Sequence, residues 1–119
     1  MPDDNSPATS AAHTAFHFGL YAVAGSTWLL RLSRPGWETS ERYCVEAPEC
    51  RQLAGRKGEH EAIVAACAAN DPDRAAAALR HHLAVTANHI AVAMGGEPLY
   101  KLAPAARRLR KSAQGWRRA

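Results

Sequence analysis

No apolar run in this chain approaches the ~20 residues that cross a bilayer, so its sequence holds no candidate membrane-spanning helix and no membrane partner is expected. The opening MPDDNSPATS lacks the basic and apolar regions of a secretory leader, which makes the cytoplasm the expected location. Three cysteines, Cys44, Cys50 and Cys67, form no paired motif, and an odd count argues against a disulfide framework. Aromatic residues make up only 7% of the chain although 47% of it is hydrophobic, because alanine carries much of that fraction. Small side chains of this kind favour close-packed helices over sheets. Strand-like alternation and internal repeats are also missing. The expected fold is therefore all-α, an antiparallel helical bundle, and 119 residues suffice for one domain of a few helices.

Acidic residues are absent from Lys101 onward, where Lys101, Arg107, Arg108, Arg110, Lys111, Arg117 and Arg118 stand. Residues 1–100 hold eight basic and eleven acidic side chains, a balance of −3 beneath the formal +4. The body carries no nucleic-acid footprint, and residues 97–119 read as a basic, solvated tail.

Residues 1–10, rich in Pro, Asp and Ser, are expected to be disordered. Thr9 or Ser10 can cap a first helix that runs to about Ala24, where Gly25-Ser26 interrupts it. A second helix starts near Thr27 with Trp28, Leu29 and Leu32 as its apolar side. Pro35-Gly36 is expected to kink or end it, and a separate helix runs from Trp37 to about Val45. Residues 51–58 match no pattern clearly. Glu59 to Ala69 is helical, and Asn70-Asp71-Pro72 is a turn in which Asp71 suits the N-cap and Pro72 the first helical position. The last helix reaches about Met94 and stops at Gly95-Gly96.

What stands out is histidine. His13 and His17 lie four apart, on one helix face with Phe16 and Leu20, and imidazoles so spaced can clamp one metal ion. His60 and His82 are equidistant from position 71, in the turn between two helices. In an antiparallel hairpin they come to the same height, about ten residues or ~15 Å from the bend. Periodicity groups His60 with Ile63, Val64 and Cys67, and His82 with Leu79, Leu83 and Thr86. Two imidazoles facing each other in an apolar interior need partners. Hydrogen bonds to each other or to Thr86 would serve, and so would a metal ion, with His13 and His17 completing four nitrogen ligands. Such ligands suit zinc, nickel, copper or iron rather than magnesium or calcium, and zinc or nickel is the expected ion. His81 is turned about 100° from His82 and is expected to be exposed. His89, two turns beyond His82 and close to the same face, is a lesser candidate, as an outer-sphere contact or a substitute ligand.

The pattern EHxAIxxAxxxxDxxxAxxxxxxHL over Glu59–Leu83 resembles the signature near the end of the FCD effector-binding domain of GntR-family transcriptional regulators, FadR subclass. AFHFGLYAVAGS resembles that family's FHxxL segment followed by a glycine turn, and SERY at residues 40–43 matches in register. The likeness spans roughly residues 13–95, and 11–96 is the expected domain. It implies a helical bundle holding a divalent metal through His17, His60 and His82, with His13 where the family usually has aspartate. A small carboxylate effector would complete the coordination. Ser26 stands where the family often has asparagine after a glycine, so Ser26, with Thr86, is a lesser effector-contact candidate. Pro35-Gly36 falls where the family usually runs one long helix. With only twelve residues before His13, the resemblance covers the later part of an effector domain and includes no winged helix-turn-helix. Direct DNA reading by these residues is not expected.

The expected function is thus that of an FCD-type sensing module, binding a transition metal and a small carboxylate, and associating with itself or with a full-length regulator. Two other classes stand beside it. A metal-dependent enzyme would need a base near the metal, but Glu59 and Glu61 point away from His60, and no enzymatic activity is expected. A metal-free helical dimerisation protein would use the same histidines as core packing. Metal content separates this last class from the sensor, and turnover would identify the enzyme.

Overall fold

The computed structural model describes residues 7–46 and 53–102. They form four helices, α1 (Pro7–Val23), α2 (Thr27–Glu46), α3 (Leu53–Ala68) and α4 (Pro72–Ala93), with no strand among the described residues. The all-α expectation holds. No helix is long and apolar enough to cross a membrane among these residues.

Helix α1 begins earlier than its polar start suggests, so residues 7–10 are helical rather than disordered. Pro7 occupies the first turn, where the missing N–H would have no intrahelical acceptor anyway. Residues 1–6 lie outside the described residues. The helix ends at the glycine turn: Gly25 has φ +68°, and the Ala24 and Gly25 amides donate to the Tyr21 and Ala22 carbonyls at 3.2 and 3.0 Å. Ser26 then starts α2, its hydroxyl accepting the Leu29 amide at 3.2 Å.

Helix α2 runs unbroken through Pro35. The end expected at Pro35-Gly36, and the separate helix from Trp37, do not occur. Proline removes one backbone donor and crowds the preceding turn, at a cost of about 3 kcal/mol. Packing on α1 offsets that cost. The Trp37 indole donates to Thr14 Oγ1 at 3.1 Å, the Trp37 and Phe18 rings meet edge-on at 5.9 Å, and the Arg34 guanidinium lies 4.5 Å from the Phe18 ring centre. Beyond the proline, Thr39 and Ser40 hydroxyls donate back to the Pro35 and Gly36 carbonyls at 2.8 and 3.0 Å. The N-terminal end of α2 departs from expectation too: Trp28 and Leu32 are 71% and 75% exposed.

Helices α3 and α4 form the expected antiparallel hairpin, with α3 starting at Leu53, ahead of the Glu59 expected from sequence. Asn70 takes φ +52°, and the Asp71 amide reaches back to the Ala66 carbonyl at 3.1 Å, closing α3 with a left-handed cap. Asp71 caps α4 by accepting the Arg74 amide at 3.0 Å, and Pro72 follows at the first helical position. The inner face of α3 carries Ile63 and Ala66, both buried, whereas Val64 and Cys67 are exposed. The contact stripe therefore keeps the expected Ile63 and takes Ala66 in place of Val64 and Cys67.

Beyond α4, Gly95 (φ +83°) and Gly96 reverse the chain, with the Gly96 amide donating to the Ala91 carbonyl at 2.9 Å. A Cβ on Gly96 would meet that carbonyl oxygen at 3.2 Å. The first residues of the supposed tail therefore fold back on α4. Residues 103–119, with every basic residue of the expected tail except Lys101, and Cys50 lie outside the described residues.

Candidate metal centre

The centre of the bundle combines imidazoles with a few apolar side chains. His17 and His82 are buried, at 0% and 2% exposure, alongside the apolar Phe18, Cys44, Ile63 and Ala66. Helix α1 brings in His13 and His17 one turn apart, α3 brings His60, and α4 brings His82. One ring nitrogen from each lies within 4.8 Å of the other three. The hairpin register places the His60 and His82 rings 4.5 Å apart, as their symmetry about position 71 requires, and His82 stacks on His17 at 5.1 Å and 13°. Trp37 closes one side at 4.9 Å from His13 and 4.7 Å from His17. Phe16 meets His17 and His60 edge-on at 5.3 and 5.2 Å.

The Nε2 atoms of His13, His17 and His60 form a triangle with sides of 3.2, 3.2 and 3.3 Å. A ring nitrogen is either an N–H donor or a lone-pair acceptor. Three mutually adjacent nitrogens cannot alternate between two roles, so at least one pair must present two lone pairs or two N–H groups to each other. Hydrogen bonds can make at most two of the three contacts. A cation satisfies the whole triangle with all three as lone-pair donors. A tetrahedral ion with nitrogens at about 2.0–2.1 Å separates its ligands by about 3.3–3.4 Å, close to the observed sides. The residues present fit a divalent transition metal.

Two carboxylates stand behind this cluster. His82 Nδ1–H donates to Glu59 Oε1 at 3.0 Å, which makes Nε2 the nitrogen that carries the lone pair in the neutral ring. His13 Nδ1 lies 3.4 Å from Glu41 Oε1. The two carboxylates thus stand one step out from the four clustered imidazoles. Glu59 also comes within 4.0 Å of His81 Nε2, and His81 is exposed as expected. The sequence directed Glu59 away from His60, which is correct for that ring, but its partner is His82. The hairpin register contained this pairing, since position 59 is level with 83. Nothing in the sequence pairs Glu41 with His13 across two helices and a proline.

A cavity of about 990 Å³ opens beside the cluster. His13 and His82 reach its wall, with Glu41, Arg80 and Thr86 as polar neighbours and a lining otherwise largely apolar. Tyr21 also lines it, and burial pushes this phenol above its ordinary pKa of 10.0, so it keeps its proton as a donor. Of the lesser candidates, Thr86 lines the cavity and donates to the His82 carbonyl at 3.1 Å. Ser26 caps α2, and His89 is exposed, away from the four clustered histidines.

A helical bundle with four clustered imidazoles beside a cavity is an architecture that can hold a metal ion and a small ligand. The FCD domain model matches residues 1–85, a span that includes all four histidines, and the chain belongs to this family. FCD is the C-terminal effector-binding domain of GntR-family transcriptional regulators, a family of regulators rather than enzymes. No curated protein and no solved structure gives a significant match to the chain.

Proposed function

We propose that this chain is the sensing module of a GntR/FadR-like regulator, holding one zinc or nickel ion through His13, His17, His60 and His82 and binding a carboxylate effector beside it. The observation that carries the proposal is the Nε2 triangle, in which at most two of the three short contacts can be hydrogen bonds whatever the protonation states. The metal supplies a Lewis-acidic position for an anionic ligand. The protein's own part is to orient the rings through Glu59 and Glu41 and to keep the cluster shielded by Phe16 and Trp37. Arg80 adds a fixed positive charge at the cavity wall. Such a sensor works in the cytoplasm with the operator DNA, and it acts by associating with itself or with a full-length regulator. The exposed Trp28 and Leu32 give α2 an apolar surface suited to that association.

Elemental analysis of the purified chain tests the metal. About one transition metal per chain, lost in both His60→Ala and His82→Ala with helicity retained, is the expected result. A helical chain that neither carries metal nor takes up added zinc or nickel overturns it.

A further inference from the structure

Asn88 is a polar side chain buried to 7% exposure on α4, outside the histidine cluster. Its amide pairs with the backbone of a single residue: Nδ2 donates to the Tyr100 carbonyl and Oδ1 accepts the Tyr100 amide, both at 2.8 Å. Both hydrogen-bonding groups of Tyr100's backbone are thereby fixed. With the reversal at Gly95-Gly96, this lays residues 96–100 back along α4. Met94, Gly96, Glu97, Leu99 and Tyr100 all line the cavity. Asn88, the reversal and the folded-back segment all lie beyond residue 85, where the family match stops.

We propose that the segment Gly96–Tyr100, clasped by Asn88, is a specificity wall of the effector cavity, selecting carboxylates that carry an apolar body. This rests on the effector-binding proposal above. The cavity has two ends. His13, His82 and Arg80 supply positive or metal-ligating chemistry, with the Glu41 carboxylate beside His13, while Ile90 on α4 and its C-cap Met94 lie eight and twelve residues past His82, about 12 and 18 Å along the helix axis. Tyr100 is tied at position 88, about 9 Å past His82. A ligand with its carboxylate at the histidine end runs its remainder beneath Leu99 and Tyr100, against Ile90 and Met94. A very short carboxylate leaves that apolar wall untouched.

The test is calorimetric titration of the zinc-loaded chain with sodium octanoate, sodium acetate and 1-octanol. Octanoate is expected to bind at least tenfold tighter than either of the others. Asn88→Ala and Tyr100→Ala should each cut the octanoate preference over acetate at least fivefold while leaving acetate binding unchanged. If Asn88→Ala loses helicity by circular dichroism, Tyr100→Ala decides, because that side chain is 56% exposed. Octanoate and acetate binding alike overturns the wall but leaves the effector proposal standing, as does an octanoate preference that survives both folded variants. Octanol binding as tightly as octanoate shows a nonspecific apolar surface and also overturns the wall. A zinc-loaded chain that binds no carboxylate overturns both proposals. A chain that takes up no zinc fails the metal proposal alone. The metal-free chain then decides the wall: octanoate binding weakened at least fivefold by Tyr100→Ala supports it, and octanoate binding that is absent or unchanged overturns it.

Discussion

A proton fixed on one nitrogen of an imidazole decides what the other nitrogen can do. Glu59 does this for His82 at 3.0 Å, and Glu41 stands at 3.4 Å from His13. Removing such an outer carboxylate costs roughly 10–100-fold in metal affinity. Glu59→Gln is therefore expected to weaken zinc binding by about that factor in a competition with a chromophoric chelator, with helicity unchanged. Glu41→Gln, at the longer distance, should weaken it less. Equal affinity in wild type and Glu59→Gln would show that the carboxylate does not orient the ligand. Tyr21 gives a second residue-level expectation. Its pKa is raised in the folded chain by burial, so above about pH 10 the unfolded chain loses this proton before the folded one does, and stability falls as pH rises. Urea midpoints measured at pH 9 and pH 11 should fall further for wild type than for Tyr21→Phe.

At the scale of elements, two helices carry opposite local signals. Helix α4 starts as its sequence asks, with Asp71 accepting the Arg74 amide. Asp71→Ala removes that cap and should lower stability by about 1 kcal/mol, read as a lower urea midpoint at constant m-value. Helix α2 contains a proline that its packing overrides. Pro35→Ala restores the missing donor and removes the ring, so it should raise the urea midpoint, by an amount bounded at about 3 kcal/mol. A Pro35→Ala chain with a lowered midpoint would mean that the proline's own packing or bend is needed for the Trp37–Thr14 contact.

Across the whole molecule, few described side chains are fully buried, and the largest of these are Ile63 and the imidazole of His17. Stability should therefore depend on the metal. Zinc at a thousandfold excess over its Kd is expected to stabilise the folded chain by about 4 kcal/mol, seen as a raised melting temperature that chelation reverses and that His60→Ala abolishes. Trp28, exposed at one end of α2, bears on assembly. Light scattering of wild type and Trp28→Glu should show an oligomer reduced to monomer in the variant, and a wild type that is already monomeric would remove Trp28 from that role.

The sequence by itself determined the helical class, the turn at Asn70-Asp71-Pro72 and the meeting of His60 with His82. These follow from local capping chemistry and from counting residues either side of a bend. The clamp of His13 and His17 is equally local, since i and i+4 share a face. Tertiary structure decided the rest. Pro35 sits inside a continuous helix because α2 is held to α1 at Trp37, a contact between positions 23 residues apart. The buried stripe of α3 takes in Ala66 and leaves out Val64 and Cys67, which the packing of the hairpin decides. Glu41 stands behind His13, and Asn88 holds Tyr100, through contacts that no period in the sequence encodes. Periodicity selects a helix face only to within about one residue, or 100° of rotation. Which neighbour occupies that face is settled when the helices pack.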